Sequence, residues 1–193
     1  MKSDNMRFYS AMLMAGCGLH AAAQTQRPNI VFIITDDHSF QTISAYGSEV
    51  SKLAPTPNID RLANEGARFD DAFVENSLST PARACLLTGL YSHQNGQRTL
   101  GKGIDSTKTF VSELLQDAGY QTGVVGKWHM QCRPKGFDFF RIFEGQGDYY
   151  NPLVLSHDSN GKYEREQGYA TDIVTEHAVE FLNQRDEQKP FFL

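Results

Sequence analysis

Three short stretches of the chain carry side chains whose types and spacing indicate a chemical role: the first and third suit an anion, and the second suits a metal cation. In the first, Ser79 and Arg83 stand four residues apart, so on a helix they would lie about one turn from each other. A hydroxyl at the start of such a helix would meet unpaired N–H groups and the positive end of the helix dipole, which favour an anion. A capped core helix with a surface arginine fits this stretch equally well.

The second stretch is an acidic pair, Asp36 and Asp37, directly after the apolar run 29–35. The β-branched and aromatic residues of this run predict a parallel strand that is buried on both faces. Ligands bind at the carboxyl edge of an open α/β sheet, where adjacent carboxylates repel each other unless a cation is present. All-oxygen ligands suit Ca²⁺, with Mg²⁺ as the second choice, and not zinc. We favour a metal site over the alternative, a solvated acidic turn.

The third stretch follows another apolar run, 121–125, which also predicts a buried strand. Side-chain alternation along a strand would place Lys127 and His129 on one side and Trp128 on the other. A cation and an imidazole that point together from a strand end would furnish an anion site. An exposed lysine and a packed histidine are the simpler interpretation.

Taken in order, these stretches resemble the formylglycine-dependent sulfatases. Ser79-x-Pro81-x-Arg83 followed by Leu87-Thr88-Gly89 is similar to the signature of that family, with Ser at the first position as in its serine-type bacterial members. The run TPNIDRLA at 56–63 and the run GKWH at 126–129 resemble two further motifs of the family. The likeness covers essentially everything after a predicted export signal.

The resemblance implies a specific chemistry at position 79. In the family this residue is oxidised after translation to an aldehyde, formylglycine (3-oxoalanine), by a maturation enzyme. The hydrated aldehyde carries two hydroxyls: one attacks sulfur and releases the alcohol, and loss of the other's proton expels sulfate. By resemblance Ser79 is the precursor, Arg83 and Lys127 hold the hydrate, and His129 is the base for the expulsion step.

The resemblance also implies a cofactor and a substrate. Asp36 and Asp37 match the first two calcium ligands of the family, and the modified Ser79 would face the same metal. The wider run 75–81 and the loop 149–152 resemble carbohydrate sulfatases that act on N-acetylglucosamine-6-sulfate in mucin or glycosaminoglycan. We therefore expect a sulfuric ester hydrolase with a sulfated carbohydrate as its substrate.

The fold implied by the resemblance is α/β, an alkaline-phosphatase-like sandwich whose largely parallel central sheet is flanked by helices. We expect only its N-terminal part at 24–193, because the family continues for several hundred residues beyond a strand such as 190–193. The chain alone should then be inactive. The sequence patterns predict helices at 55–66, 79–89, 109–118 and 169–183, strands at 29–35, 67–74, 121–125, 137–143 and 190–193, and a loop over 144–163.

Composition and the first residues bear on where the protein works. Residues 1–23 combine a basic start, a short apolar run and a small-residue cleavage site, which predicts a signal peptide read by the export machinery. We expect a periplasmic or secreted protein. Lipidation of Cys17, which would anchor the protein to a membrane, is the alternative. The net charge of −5 argues against a nucleic-acid partner.

Two other functions remain open from the residues alone. An unmodified Ser79 hydroxyl could act as the nucleophile of a phosphomonoesterase or phosphodiesterase of the alkaline phosphatase superfamily. The chain could also be an inactive or merely sugar-binding remnant. In that case it would bind Ca²⁺ poorly, because part of the ligand set is absent.

Overall fold

The computed structural model describes residues 27–193, so the predicted signal peptide lies outside the described residues. Within this part no helix is long and apolar enough to cross a membrane. Three 3-10 turns, Phe40–Thr42, Ser44–Tyr46 and Val50–Lys52, precede the first α-helix. The α-helices are α1 (Pro57–Glu65), α2 (Ser79–Thr88), α3 (Ser92–Asn95), α4 (Val111–Asp117) and α5 (Ala170–Gln184), and the strands are β1 (Gln121–Lys127), β2 (Phe139–Phe143), β3 (Leu153–Ser156), β4 (Tyr163–Arg165) and β5 (Phe191–Phe192).

The five strands form one sheet in the order β4-β3-β2-β1-β5. β1 pairs in parallel with both β2 and β5, whereas β3 and β4 continue the sheet in antiparallel pairs. The register places Lys127 beside Phe143, so the carboxyl ends of β1 and β2 meet at the same edge of the sheet. The predicted α/β fold is confirmed, and its sheet is parallel from β2 through β1 to β5 and antiparallel on the β4 side.

Helices cover both faces of this sheet. Alternate residues of a strand point to opposite faces. Phe140 and Ile142 of β2 join a buried cluster with Ala84 of α2, whereas Phe139 packs against Phe181 of α5 with the ring centroids 5.6 Å apart. Helices α2 and α5 therefore lie on opposite sides of β2, which gives the layered sandwich.

The stretch 29–35 pairs with the sheet but is not the buried strand that its apolar residues predict. Ile30 forms a parallel bridge with Phe192, and the Phe32 N–H donates to the Leu193 carbonyl oxygen at 2.7 Å. The side chains of Val31 to Ile34 nevertheless keep 47% to 73% of their surface exposed. The prediction of burial is wrong because no layer among the described residues covers this edge of the sheet.

Three further predictions need correction. Segment 67–74 is irregular rather than a strand, and the predicted loop 144–163 contains β3 and the start of β4. Helix α1 forms as expected, but its apolar residues Ile59 and Leu62, which the helical spacing predicts to be buried, are 38% and 60% exposed. Apolar spacing identifies a helix without showing what packs on it, and β3 is too short for its apolar residues to establish a period.

Replacing Gly126 with alanine should destabilise the chain more than replacing Gly161. The two glycines have φ of 92° and 82°. In each variant the alanine must adopt this left-handed backbone, which lowers the free energy of unfolding by about 1–2 kcal/mol. A Cβ at Gly126 would lie 3.1 Å from Val174, whereas the space around Gly161 is open. Overpacking costs about 1–3 kcal/mol more. Urea denaturation measures the free energies of unfolding, and equal losses in G126A and G161A would contradict the packing of β1 on α5.

Candidate active site

Helix α2 opens the candidate site with a hydroxyl in its first turn. It begins at Ser79, where the sequence places its start, and the N-cap is Leu78, whose side chain makes no capping hydrogen bond. Ser79 and Thr80 lie inside the first turn and therefore do not cap the helix. The helix ends as predicted at Gly89, with φ of 66°. The Ser79 hydroxyl thus lies at the positive end of the helix, where side-chain caps are absent.

Arg83 joins the three stretches singled out in the sequence. Its Nε donates to Ser79 Oγ at 3.3 Å, one helical turn back. Its Nη1 donates to the Lys127 carbonyl oxygen at 2.6 Å, and its Nη2 donates to Asp36 Oδ2 at 3.3 Å. The Arg83 side chain is 15% exposed. One guanidinium therefore fixes the start of α2, the end of β1 and the acidic turn relative to one another.

Lys127 and Asp36 form the second ionic contact of the site. The Lys127 ammonium donates to Asp36 Oδ2 and, at 3.1 Å, to Gln146 Oε1. The hydrogen bond from Lys127 lowers the pKa of Asp36, and the charges of Lys127 and Arg83 lower it further against the opposing effect of burial. Asp36 is therefore a stable carboxylate at neutral pH. The cluster of Asp36, Arg83 and Lys127 then has one negative and two positive charges.

His129 lies beside Ser79, but a turn after β1 positions it there, and not the strand alternation that the sequence predicts. β1 ends at Lys127, so strand alternation does not extend to His129, which has a left-handed backbone with φ of 56°. The Thr80 hydroxyl donates to the His129 carbonyl oxygen at 3.0 Å and so holds this turn against α2. The His129 ring Nδ1 then lies 3.3 Å from Ser79 Oγ.

The surroundings of His129 favour its neutral form. Burial lowers the pKa of His129, and the positive charges of Lys127 and Arg83 lower it further, while Asp36 acts in the opposite direction. A neutral imidazole has one nitrogen that accepts a hydrogen bond. In the tautomer that carries its proton on Nε2, the Nδ1 atom can accept a proton from an oxygen on residue 79.

Asp37 follows Asp36 with a left-handed backbone, φ of 53°. Together with the Ser79 hydroxyl, the two carboxylates offer the oxygen chemistry that Ca²⁺ prefers. A calcium ion takes about six to eight oxygen ligands, and within residues 27–193 no group of three or more acidic, histidine or cysteine side chains surrounds one point. The chemistry of these donors suits part of a calcium ligand set.

Two residues that position the site escaped the sequence analysis. Gln146 contacts Lys127 from the turn after β2, and the Asn76 side chain accepts from the Leu78 N–H at 3.0 Å just before α2. The rule that ligand sites form where parallel strands end could have directed attention to Gln146. Asn76 carries an Asx-turn pattern, which is too common to indicate a site.

A cavity of about 340 Å³ adjoins His129. Its polar lining includes Gln131 and Arg133, and Tyr163 from β4 contributes an aromatic wall. The remainder of the lining is mostly apolar and includes Trp128, Ile142, Phe143 and Leu155. Because His129 lines the cavity and its ring also lies 3.3 Å from Ser79 Oγ, an organic group attached to an anion at Ser79 has a space beside it.

Comparisons with known proteins agree on one family. The family model described as Sulfatase matches residues 28–193. The chain is 46% identical over 185 residues to an N-acetylglucosamine-6-O-sulfatase of Bacteroides thetaiotaomicron. The aligned region covers 94% of this chain and 32% of that protein. It is 30% identical to the human N-acetylgalactosamine-6-sulfatase, over 91% of this chain and 40% of that protein. The chain thus spans about a third of the length of these curated relatives.

Solved structures give the same result for the fold. A protein in complex with its substrate D-glucosamine-2-N,6-O-disulfate superposes with a TM-score of 0.81 at 48% identity, over 86% of this chain and 33% of that one. A complex with a neocarrahexaose superposes with a TM-score of 0.76 at 32% identity, over 87% of this chain and 44% of that one. A phosphonate monoester hydrolase of Agrobacterium radiobacter superposes with a TM-score of 0.63 at 20% identity, over 86% of this chain and 40% of that one. That last likeness shows the fold alone.

Replacing Lys127 with methionine should raise the pKa of His129. The Lys127 charge disfavours a second positive charge on the nearby imidazole, so its removal makes protonation easier. NMR titration of the His129 ring in calcium-free protein measures the shift. K108M removes a lysine elsewhere on the surface and should leave that pKa unchanged; equal values in K127M and K108M would contradict the electrostatic coupling.

Proposed function

The chain belongs to the sulfatase family, and from this membership we propose that the protein that carries it hydrolyses sulfate esters of carbohydrates. The observation that carries the proposal is the contact set of Arg83, which donates to Ser79 Oγ, to the end of β1 and to Asp36. These contacts hold Ser79, the residue that the family chemistry modifies, close to the cations Arg83 and Lys127. The imidazole of His129 lies beside Ser79 as well.

The charges of the cluster suit an anionic ester. Arg83 and Lys127 contribute two positive charges, and Asp36 contributes one negative charge. A sulfate monoester carries a negative charge that repels an external nucleophile, so neutralisation by fixed cations lowers the barrier to attack. Both cations are largely shielded from water, with 15% and 18% of their side chains exposed, which strengthens their interaction with a bound anion.

We propose that Ser79 is oxidised to formylglycine by a maturation enzyme. The hydrated aldehyde would supply the oxygen that reacts with sulfur and would avoid the slow hydrolysis of a serine sulfate ester. Arg83 Nε, at 3.3 Å from Ser79 Oγ, would orient an oxygen on residue 79. His129 Nδ1, at 3.3 Å from the same atom, would take the proton whose loss releases sulfate. Its lowered pKa keeps the ring neutral and ready for this step.

Calcium is proposed as the metal. Asp36 and Asp37 would hold one side of the ion, and the oxygen of residue 79 would face it. When bound, the ion would supply further positive charge beside the sulfate group. Magnesium is the second choice, because it demands a stricter octahedral arrangement of ligands.

The proposed substrate is N-acetylglucosamine-6-sulfate in mucin or glycosaminoglycan. Support comes from the 46% identity to a protein named N-acetylglucosamine-6-O-sulfatase and from the likeness to a complex with D-glucosamine-2-N,6-O-disulfate. The cavity of about 340 Å³ next to His129 offers room for a sugar attached to the sulfate. Because such glycans are extracellular, we further propose export by the signal at 1–23 to the periplasm or beyond, with a lipid anchor on Cys17 as the alternative.

An unmodified Ser79 defines the second candidate function. The Ser79 hydroxyl already lies within hydrogen-bond distance of His129 Nδ1 and Arg83 Nε, which is the arrangement of an activated nucleophile. Such a site would suit phosphate monoesters or diesters. Turnover of an aryl sulfate compared with the matching aryl phosphate separates the two functions.

Mass spectrometry of the full protein, produced together with a formylglycine-generating enzyme, should show the Ser79 peptide short of two hydrogens. The modified protein should release sulfate from N-acetylglucosamine-6-sulfate, and turnover should fall when calcium is chelated. S79A removes the precursor and should abolish turnover, whereas S159A, on a distant turn, should not. An unmodified Ser79 peptide from protein that hydrolyses the phosphate ester instead would overturn the proposal in favour of the second function.

A further inference from the structure

We propose that Gln146 is a positioning residue of this site, whose amide oxygen orients the Lys127 ammonium toward the bound sulfate group. The inference rests on the sulfatase function proposed above. It assigns a role to a residue of the turn after β2, which contributes none of the charged groups described so far.

The contact itself has only one possible orientation. Gln146 Oε1 lies 3.1 Å from Lys127 Nζ. An ammonium group only donates hydrogen bonds, so the oxygen of the amide, and not its nitrogen, must face it. The ammonium has three N–H groups; one is directed to Gln146 and one to Asp36. With two directions fixed, the third N–H is left in a defined direction for an oxygen of the ligand.

The backbone holds Gln146 in this place without help from its side chain. Gly145 and Gly147 flank it with φ of 54° and 81°, and the Gly147 N–H donates to the Glu144 carbonyl oxygen at 2.9 Å. A Cβ on Gly147 would lie 2.7 Å from the Phe143 side chain, so this turn requires glycine there. A substitution of the Gln146 side chain should therefore leave the turn intact.

The strand register brings the turn to Lys127. Phe143, the last residue of β2, pairs with Lys127, the last residue of β1, so the chain that leaves β2 passes directly beside the ammonium. The contact is thus a consequence of parallel pairing. Both residues lie at the sheet edge where the cluster of Asp36, Arg83 and Lys127 forms.

The neutrality of the amide matters as much as its position. Asp36 already contributes one negative charge against the two positive charges of Arg83 and Lys127. A carboxylate at position 146 would also accept from Lys127, but it would cancel the remaining positive charge. An amide orients the ammonium while it leaves that charge available to the sulfate.

The first test compares Q146M with wild type in the full protein, with N-acetylglucosamine-6-sulfate as substrate. Methionine keeps the size of the side chain and removes the acceptor. We expect kcat/KM to fall roughly tenfold or more, because misplaced catalytic groups commonly cost up to about a hundredfold, with an unchanged midpoint of urea unfolding. Q188M, on an exposed loop, should match wild type. Full activity in Q146M would overturn the proposal.

Q146E tests the charge argument. This variant keeps an acceptor for Lys127 but adds a carboxylate, so we expect its KM for the sulfate ester to rise above that of Q146M. A Q146E variant with the KM of wild type would contradict the part assigned to neutrality.

A double-mutant cycle shows whether Gln146 acts through Lys127. If it does, Q146M should cost little in a K127M background, because the group that it orients is absent. Losses that multiply in K127M/Q146M would mean that Gln146 acts independently of Lys127, and the proposal would be wrong.

Failure of the proposed function can be told apart from failure of this inference. If wild type hydrolyses a phosphate ester instead, the same cycle is measured with that ester. If it hydrolyses neither, the Lys127 side-chain resonances in [¹³C]lysine-labelled protein decide. A shift in Q146M but not in Q188M supports the contact, and unchanged Lys127 resonances overturn it.

Discussion

The buried guanidinium of Arg83 is the constraint on which the rest of the site depends. A charge that is largely removed from water costs several kcal/mol unless it is paired and hydrogen-bonded. Burial lowers the pKa of Arg83, and Asp36 opposes that effect. The three acceptors of Arg83 come from α2 itself, from the end of β1 and from the turn after 29–35. These segments must converge for the guanidinium to find its three hydrogen-bond acceptors. The fold and the cluster of Asp36, Arg83 and Lys127 therefore require each other.

The sheet supplies the geometry that this convergence needs. β1 lies between two parallel partners, and its carboxyl end lies beside that of β2. The start of α2 lies over the same edge through the contact of Thr80 with His129. A helix start and two strand ends thus present a hydroxyl, two cations and an imidazole to one point. The wider α/β sandwich acts as a scaffold that holds these short segments in place.

Some of this could be predicted from the sequence, and the reasons are physical. The helix that carries Ser79 and Arg83 follows from local spacing, because residues four apart lie on one face. The strands β1 and β2 follow from their apolar runs, whereas the fold as a whole is what the family resemblance implies. The left-handed turn at His129 could not be predicted, since a non-glycine residue with positive φ depends on tertiary contacts such as the one from Thr80. The exposure of 29–35 and the partnership of Gln146 with Lys127 also depend on neighbours distant in sequence.

The central claim is that one anion binds between the start of α2 and the ends of β1 and β2. A crystal structure of the full protein bearing S79A, with N-acetylglucosamine-6-sulfate bound, tests it most directly. We predict sulfate oxygens within hydrogen-bond distance of Lys127 Nζ, with the His129 ring beside the sulfate and the sugar in the adjoining cavity. A sulfate group bound elsewhere, with Lys127 still paired only to Asp36 and Gln146, would contradict the account.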